Sequence, residues 1–96
     1  MKPVVFLLEA QAEYLDAQDW YRARSIQAAL DFNAAVNEAI QRVADGPNRW
    51  PKYDRAHRFH IVAGFPYSVV YREDALCITV AAIAHASRKP GYWKNR

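Results

Sequence analysis

The 96 residues predict an α+β domain ordered β-α-α-β-β-β, with a helical hairpin packed on one face of a small, mainly antiparallel sheet. Three observations carry this. Apolar residues recur at helical spacing through residues 9–45, they alternate with period two through residues 58–84, and a short β-favouring run precedes both. The whole chain, 1–96, reads as a single domain with one modest core.

Pro3 to Leu8 is the first strand, since Val4, Val5, Phe6 and Leu7 favour extended backbone. Residues 9–23 form the first helix, whose apolar stripe is Ala10, Tyr14, Ala17 and Tyr21. Glu9 and Glu13 lie near its start, where the helix dipole favours anions. Ser25 is placed to cap a second helix with the stripe Ala29, Phe32, Val36, Ile40 and Val43. Asp45-Gly46-Pro47 ends it, with glycine available for a left-handed cap and proline unable to continue.

Residues 47–57 contain two prolines and no period, and read as a loop carrying Arg49, Lys52 and Arg55. Three strands follow: Arg58 to Ala63, Tyr67 to Arg72 and Leu76 to Ala84, separated by Gly64-Phe65-Pro66 and Glu73-Asp74-Ala75. Alternation places Phe59, Ile61, Tyr67, Val69, Tyr71, Leu76, Ile78 and Val80 on the face the helices cover. Arg58, His60, Ser68, Arg72, Thr79 and His85 then share an open face.

The first 46 residues carry net charge −3 and the rest +6, which reads either as an acidic scaffold beside an anion-facing part or as a solvated surface with chance asymmetry. The tail from Ala84 holds one histidine, four cations, Tyr92, Trp93 and no acid. Trp93 is expected to fold back as an anchor while its charged neighbours stay wet. Trp20 and Trp50 fall off the stripes and either cap the core edge or meet a partner. A lone Cys77 excludes an internal disulfide and reads as a small buried hydrophobe. No apolar run approaches the ~20 residues of a membrane span, and no secretory signal is present, so the cytoplasm is the expected location.

Arg58, His60, His85, Arg88 and Tyr92 are the candidate catalytic residues. Arginine clamps phosphate, histidine moves protons near neutral pH, and tyrosine stacks on a base or assists proton transfer. Together they suit metal-free RNA cleavage; the alternative is ordinary surface histidines and arginines. His57 and His60 face opposite ways on an extended segment and no ligand set completes them, so no metal or cofactor is expected.

The segments Phe65-Pro66-Tyr67-Ser68-Val69-Val70-Tyr71 and His85-x-x-Arg88-x-Pro90-x-Tyr92-Trp93-x-x-Arg96 resemble the RelE/ParE superfamily of toxins from bacterial type II toxin–antitoxin modules. The helical half, with Ala17 to Tyr21, agrees, and the resemblance spans nearly the whole chain. It implies the RelE/ParE toxin fold and a cognate antitoxin partner, with a toxin–antitoxin hetero-oligomer as the resting form. It implies one of two activities. ParE-like members inhibit DNA gyrase; RelE-like members are ribosome-dependent endoribonucleases that cut mRNA without metal. Ser68 stands where RelE-type enzymes carry a phosphate-binding arginine, which favours the ParE-like, plasmid-stabilisation type. A third reading is a decayed, non-toxic antitoxin-binding module.

Overall fold

A computed structural model describes residues 1–96. The elements are β1 (Val4–Phe6), α1 (Leu8–Arg22), α2 (Ile26–Asp45), β2 (Arg58–Ile61), β3 (Tyr67–Glu73) and β4 (Ile78–His85). The order is the one the sequence predicts. The sheet runs β1-β4-β3-β2; β1 pairs with β4 in parallel and the other pairs are antiparallel. Ordinary steric and hydrogen-bonding rules account for the helix ends. The Ser25 hydroxyl accepts the Ala28 amide at 3.0 Å and caps α2 as expected. Gly46 differs from the expected left-handed cap: its φ is −158°, because the following proline drives it to extended backbone.

The helices cover one face of the sheet. Phe32, Val36 and Ala39 of α2 and Ala10 and Ala17 of α1 pack against Val62, Val69, Val80 and Ile83. Tyr14, Tyr21, Phe65 and Tyr67 gather round the Phe32 ring, with centroids 5.0 to 5.9 Å from it. At the far end Val43, Tyr71 and Ile78 form a smaller cluster under Trp50. There the buried Tyr71 hydroxyl donates to the Pro47 carbonyl at 2.5 Å and ties down the loop after α2.

The other face is not open. Trp93, 3% exposed, lies on Val70 and Ala82, with Phe59, Ala84 and Tyr92 around it. The anchoring role expected of Trp93 is met, and its consequence is that the tail roofs the sheet. His57, also buried, and Tyr53 flank the indole at 4.7 Å. Tail residues 85–96 run as successive tight turns, and Gly91, at φ +79°, supplies the left-handed step a side chain would resist.

The expected strand phase is corrected in two places. In β2, Phe59 pairs with Val70 and His60 with Val69, so Arg58, His60 and Val62 take the helix side and Phe59 and Ile61 the far side. The larger apolar pair lost to Val62, which is 1% exposed and closes the core, whereas Ile61 is 62% exposed. In β4, Val70 pairs with Ala82 but Tyr71 with Val80, which leaves Ala81 as an extra residue. This β-bulge reverses the alternation, so Ile83 and His85 join Ile78 and Val80 on the helix side. Leu76 lies in the turn before β4 and is exposed, not core. Cys77 precedes β4 half-buried, 3.6 Å from the Thr79 hydroxyl, and is not a core residue.

Candidate functional site

The bulge and tail create a junction that no single segment contains. Glu13, on the buried stripe of α1, reaches the edge of β4 beyond the end of β1. There the Ile83 amide donates to its Oε1 at 3.1 Å, filling a backbone partner that β1 is too short to provide. Arg96 binds the same carboxylate with both terminal nitrogens, at 2.9 and 3.0 Å, and also donates to the carbonyl of the bulged Ala81 at 3.0 Å. The Tyr92 hydroxyl donates to Glu13 Oε2 at 2.5 Å. Burial, reinforced by this bond to a carboxylate, pushes the Tyr92 phenol well above the ordinary tyrosine range. The Arg96 guanidinium is held more firmly protonated by its bond to Glu13.

Arg88 stacks on the outer side of this junction, its guanidinium carbon 4.0 Å from the Tyr92 ring centre. His85, at the end of β4, meets the Tyr67 ring edge-on at 5.0 Å. The Ser87 amide donates to His85 Nδ1 at 3.0 Å; an amide can only donate, so the ring keeps its proton on Nε2. A groove of about 400 Å³ runs between α1 and this end of the sheet, bordered by Asp16, Trp20, Tyr67, His85, Arg88 and Tyr92. Trp20 is half exposed at its rim, with Arg24 stacked on the indole at 3.2 Å. His85, Arg88 and Tyr92 also border a second hollow of about 230 Å³ on the far face, beside Ser68 and Trp93.

Arg58 and His60 are elsewhere. Both lie on the helix side of the outermost strand, β2. The His60 ring lies against Trp50, centroids 3.8 Å apart, and Arg58 donates to the Trp50 carbonyl at 2.7 Å. Trp50 in turn donates from its indole nitrogen to the Arg42 carbonyl near the end of α2, at 3.1 Å. Burial, with Arg42 adding to it, lowers the His60 imidazole below its ordinary value. The expected convergence of five residues on one open face is therefore corrected: three meet at the α1 groove, and two sit under a tryptophan at the sheet's other edge. No helix of the chain is long and apolar enough to cross a membrane.

Glu13 is the residue that sequence reasoning missed. Its position held the signal, since an acid three residues after Ala10 and four before Ala17 falls on the buried stripe. An acid on such a stripe needs a cationic partner from elsewhere in the chain.

A family model described as the ParE toxin of the type II toxin–antitoxin system parDE matches residues 4–90. Among solved structures, a chain described as the chromosomal ParDE TA system from P. aeruginosa is similar in fold, with a TM-score of 0.76. It is 18% identical, and the alignment covers 91% of this chain and 98% of that one. No curated protein matches the sequence.

Proposed function

The chain belongs to the ParE toxin family of type II toxin–antitoxin systems, and from that premise we propose that it arrests growth by binding DNA gyrase in the cytoplasm and is held inactive by a cognate antitoxin. One observation favours this over RNA cleavage. Tyr92 and Arg96 are both committed to Glu13, and Arg58 and His60 lie at the opposite edge of the sheet. A phenol that donates to a carboxylate inside the fold, and holds its proton more tightly for being buried there, is a poor acid for a leaving group. What the junction presents outward, Trp20, His85 and Arg88 round one groove, is the mix of aromatic and arginine side chains that suits a protein contact.

The endoribonuclease reading keeps His85, Arg88 and Tyr92, which do meet at one groove, and would require a substrate to free Tyr92 from Glu13. Expression from a regulated promoter separates the readings. The gyrase reading expects DNA breaks with an SOS response, inhibition of supercoiling by purified gyrase, and unchanged mRNA half-lives. Rapid translation arrest with codon-linked mRNA cuts, lost in His85→Ala with Arg88→Ala, would establish the nuclease instead. Harmless expression without an antitoxin would leave the decayed module.

A further inference from the structure

A polar cleft of about 180 Å³ lies at the end of the sheet away from the α1 groove, where β2 begins and β3 ends. Four cations border it: Arg58 and Arg72 from the strands, Lys52 and Arg55 from the loop before β2. None of the four forms an ion pair. Arg58 spends one side-chain hydrogen bond on the Trp50 carbonyl, and Arg72 one, at 3.4 Å, on the main-chain oxygen of Arg96. A guanidinium has five donors, so most of theirs are uncommitted.

The neighbouring acids are already engaged: Asp74, close enough for Arg72 to help lower its carboxyl after the Cys77 and Leu76 amides, accepts those two amides at 2.9 and 2.8 Å. Glu73, the one acid bordering the cleft, pairs with Lys2 at 2.8 Å. Asp54 accepts from the Ala56 and His57 amides at 2.9 and 2.8 Å and from His57 Nδ1 at 3.0 Å. His57 also borders the cleft; it is 6% exposed, and its Nε2 is buried with no hydrogen-bond partner. Four like charges round so small a space repel one another, and partly desolvated guanidiniums demand an anion. Arg58 reaches the cleft from the helix side of the sheet's end and Arg72 from the far side, and two planar forks so placed, with a lysine and an arginine on the adjacent loop, match the tetrahedral, many-oxygen surface of phosphate better than a single flat carboxylate.

We infer that this cleft is a phosphate-binding site, in which Arg58 and Arg72 hold the phosphate oxygens and Lys52 and Arg55 close over it. The phosphate belongs either to a small molecule or to a nucleic-acid backbone. The inference is independent of the gyrase reading, since no residue of the cleft borders the α1 groove.

The test titrates the isotope-labelled full chain with inorganic phosphate, a nucleoside monophosphate, and short single-stranded and duplex DNA, following the side-chain N–H signals of Arg58 and Arg72. Saturable shifts with phosphate are expected, and Lys52→Gln with Arg55→Gln, both exposed, should weaken binding about tenfold, or about 1.4 kcal/mol. If the source is a nucleic acid, the oligonucleotides bind more tightly than free phosphate, and the double variant lowers the salt slope by about two. If it is a small molecule, the nucleotide or phosphate binds and the oligonucleotides add nothing. The inference is overturned if no phosphate compound moves these signals at millimolar concentration, if the double variant binds unchanged, or if only a glutamate-rich peptide binds. The shifts of the unsubstituted chain decide the matter even if the variant fails to fold.

Discussion

The carboxylate of Glu13 and the guanidinium of Arg96, 83 residues apart, face each other through two hydrogen bonds of 2.9 and 3.0 Å with both side chains largely shielded from water. This one pair joins the first helix to the tail and, through the Ala81 carbonyl and the Ile83 amide, to the bulge in β4. The tail is thereby an integral layer of the fold.

Breaking the pair should be costly. Glu13→Ala leaves a shielded Arg96 unpaired and should cost about 3 kcal/mol of stability in urea unfolding. Arg96→Ala should cost a similar amount, and the double variant clearly less than the two together. Additive effects would show that the two side chains do not act as a pair.

Trp93→Ala uncovers Val70 and Ala82 on the far face of the sheet. The expected loss is about 3 kcal/mol or more, the scale for truncating a core tryptophan. A thermal midpoint within a degree or two of the unsubstituted chain would contradict a packed tail.

Tyr92→Phe removes one donor to Glu13 and leaves the Arg96 pair intact, so it should cost only about 1 kcal/mol. Under the gyrase reading, growth inhibition persists in this variant. Loss of toxicity with stability retained would point to the phenol as a chemical participant and favour the nuclease reading.

His60 sets a pH dependence of stability. Burial and Arg42 hold its imidazole below the ordinary 6.5, so the folded chain favours the neutral ring. The unfolded chain takes up the proton first, near its ordinary value. The His60 contribution is therefore whole above pH 6.5 and is lost as pH falls through the lower folded-state value. The urea midpoint should fall between about pH 7.5 and about pH 5, and His60→Phe should flatten that change. Asp54 and Asp74 act in a lower window. Burial opposes the lowering at Asp54 but is outweighed by hydrogen bonds from His57 and the Ala56 amide, whereas at Asp74 the Cys77 and Leu76 amides lower the carboxyl directly. Their contributions are present above 3.8 and are lost as pH falls below it.

Ala81→Gly keeps the bulge and should cost about 1 kcal/mol, the ordinary penalty for glycine in a strand. Deleting Ala81 joins Val80 directly to Ala82 in regular alternation, with Ile83 and His85 still on the helix side, so the variant should still melt cooperatively and lose only about 2 kcal/mol with the carbonyl that accepts from Arg96. A deletion variant that lost cooperative melting would mean that Ala81 does more than fill the extra position.

Local pattern determined much of this protein. The order of elements, the Ser25 cap and the turns between strands are legible because each depends on residues a few positions apart, and the return of Trp93 to the core is legible because so large an aromatic among charged neighbours needs burial. The motif ending in Tyr92-Trp93-x-x-Arg96 was enough to indicate the family, and the match over residues 4–90 agrees. The site was only half legible. His85, Arg88 and Tyr92 do meet, since they lie on one short run, but Arg58 and His60 lie on the face opposite to the one that alternation suggests.

Tertiary structure decided the rest, and the reason is physical. Alternation along a strand says which residues share a face but not which face goes inward; in β2 the packing of Val62 made that choice. One extra residue in β4 then inverted the pattern, and a bulge is fixed only by the pairing of two strands. The Glu13 junction needs a helix, a bulge and a tail to meet at one carboxylate, and no periodicity in the chain encodes a contact across 83 residues.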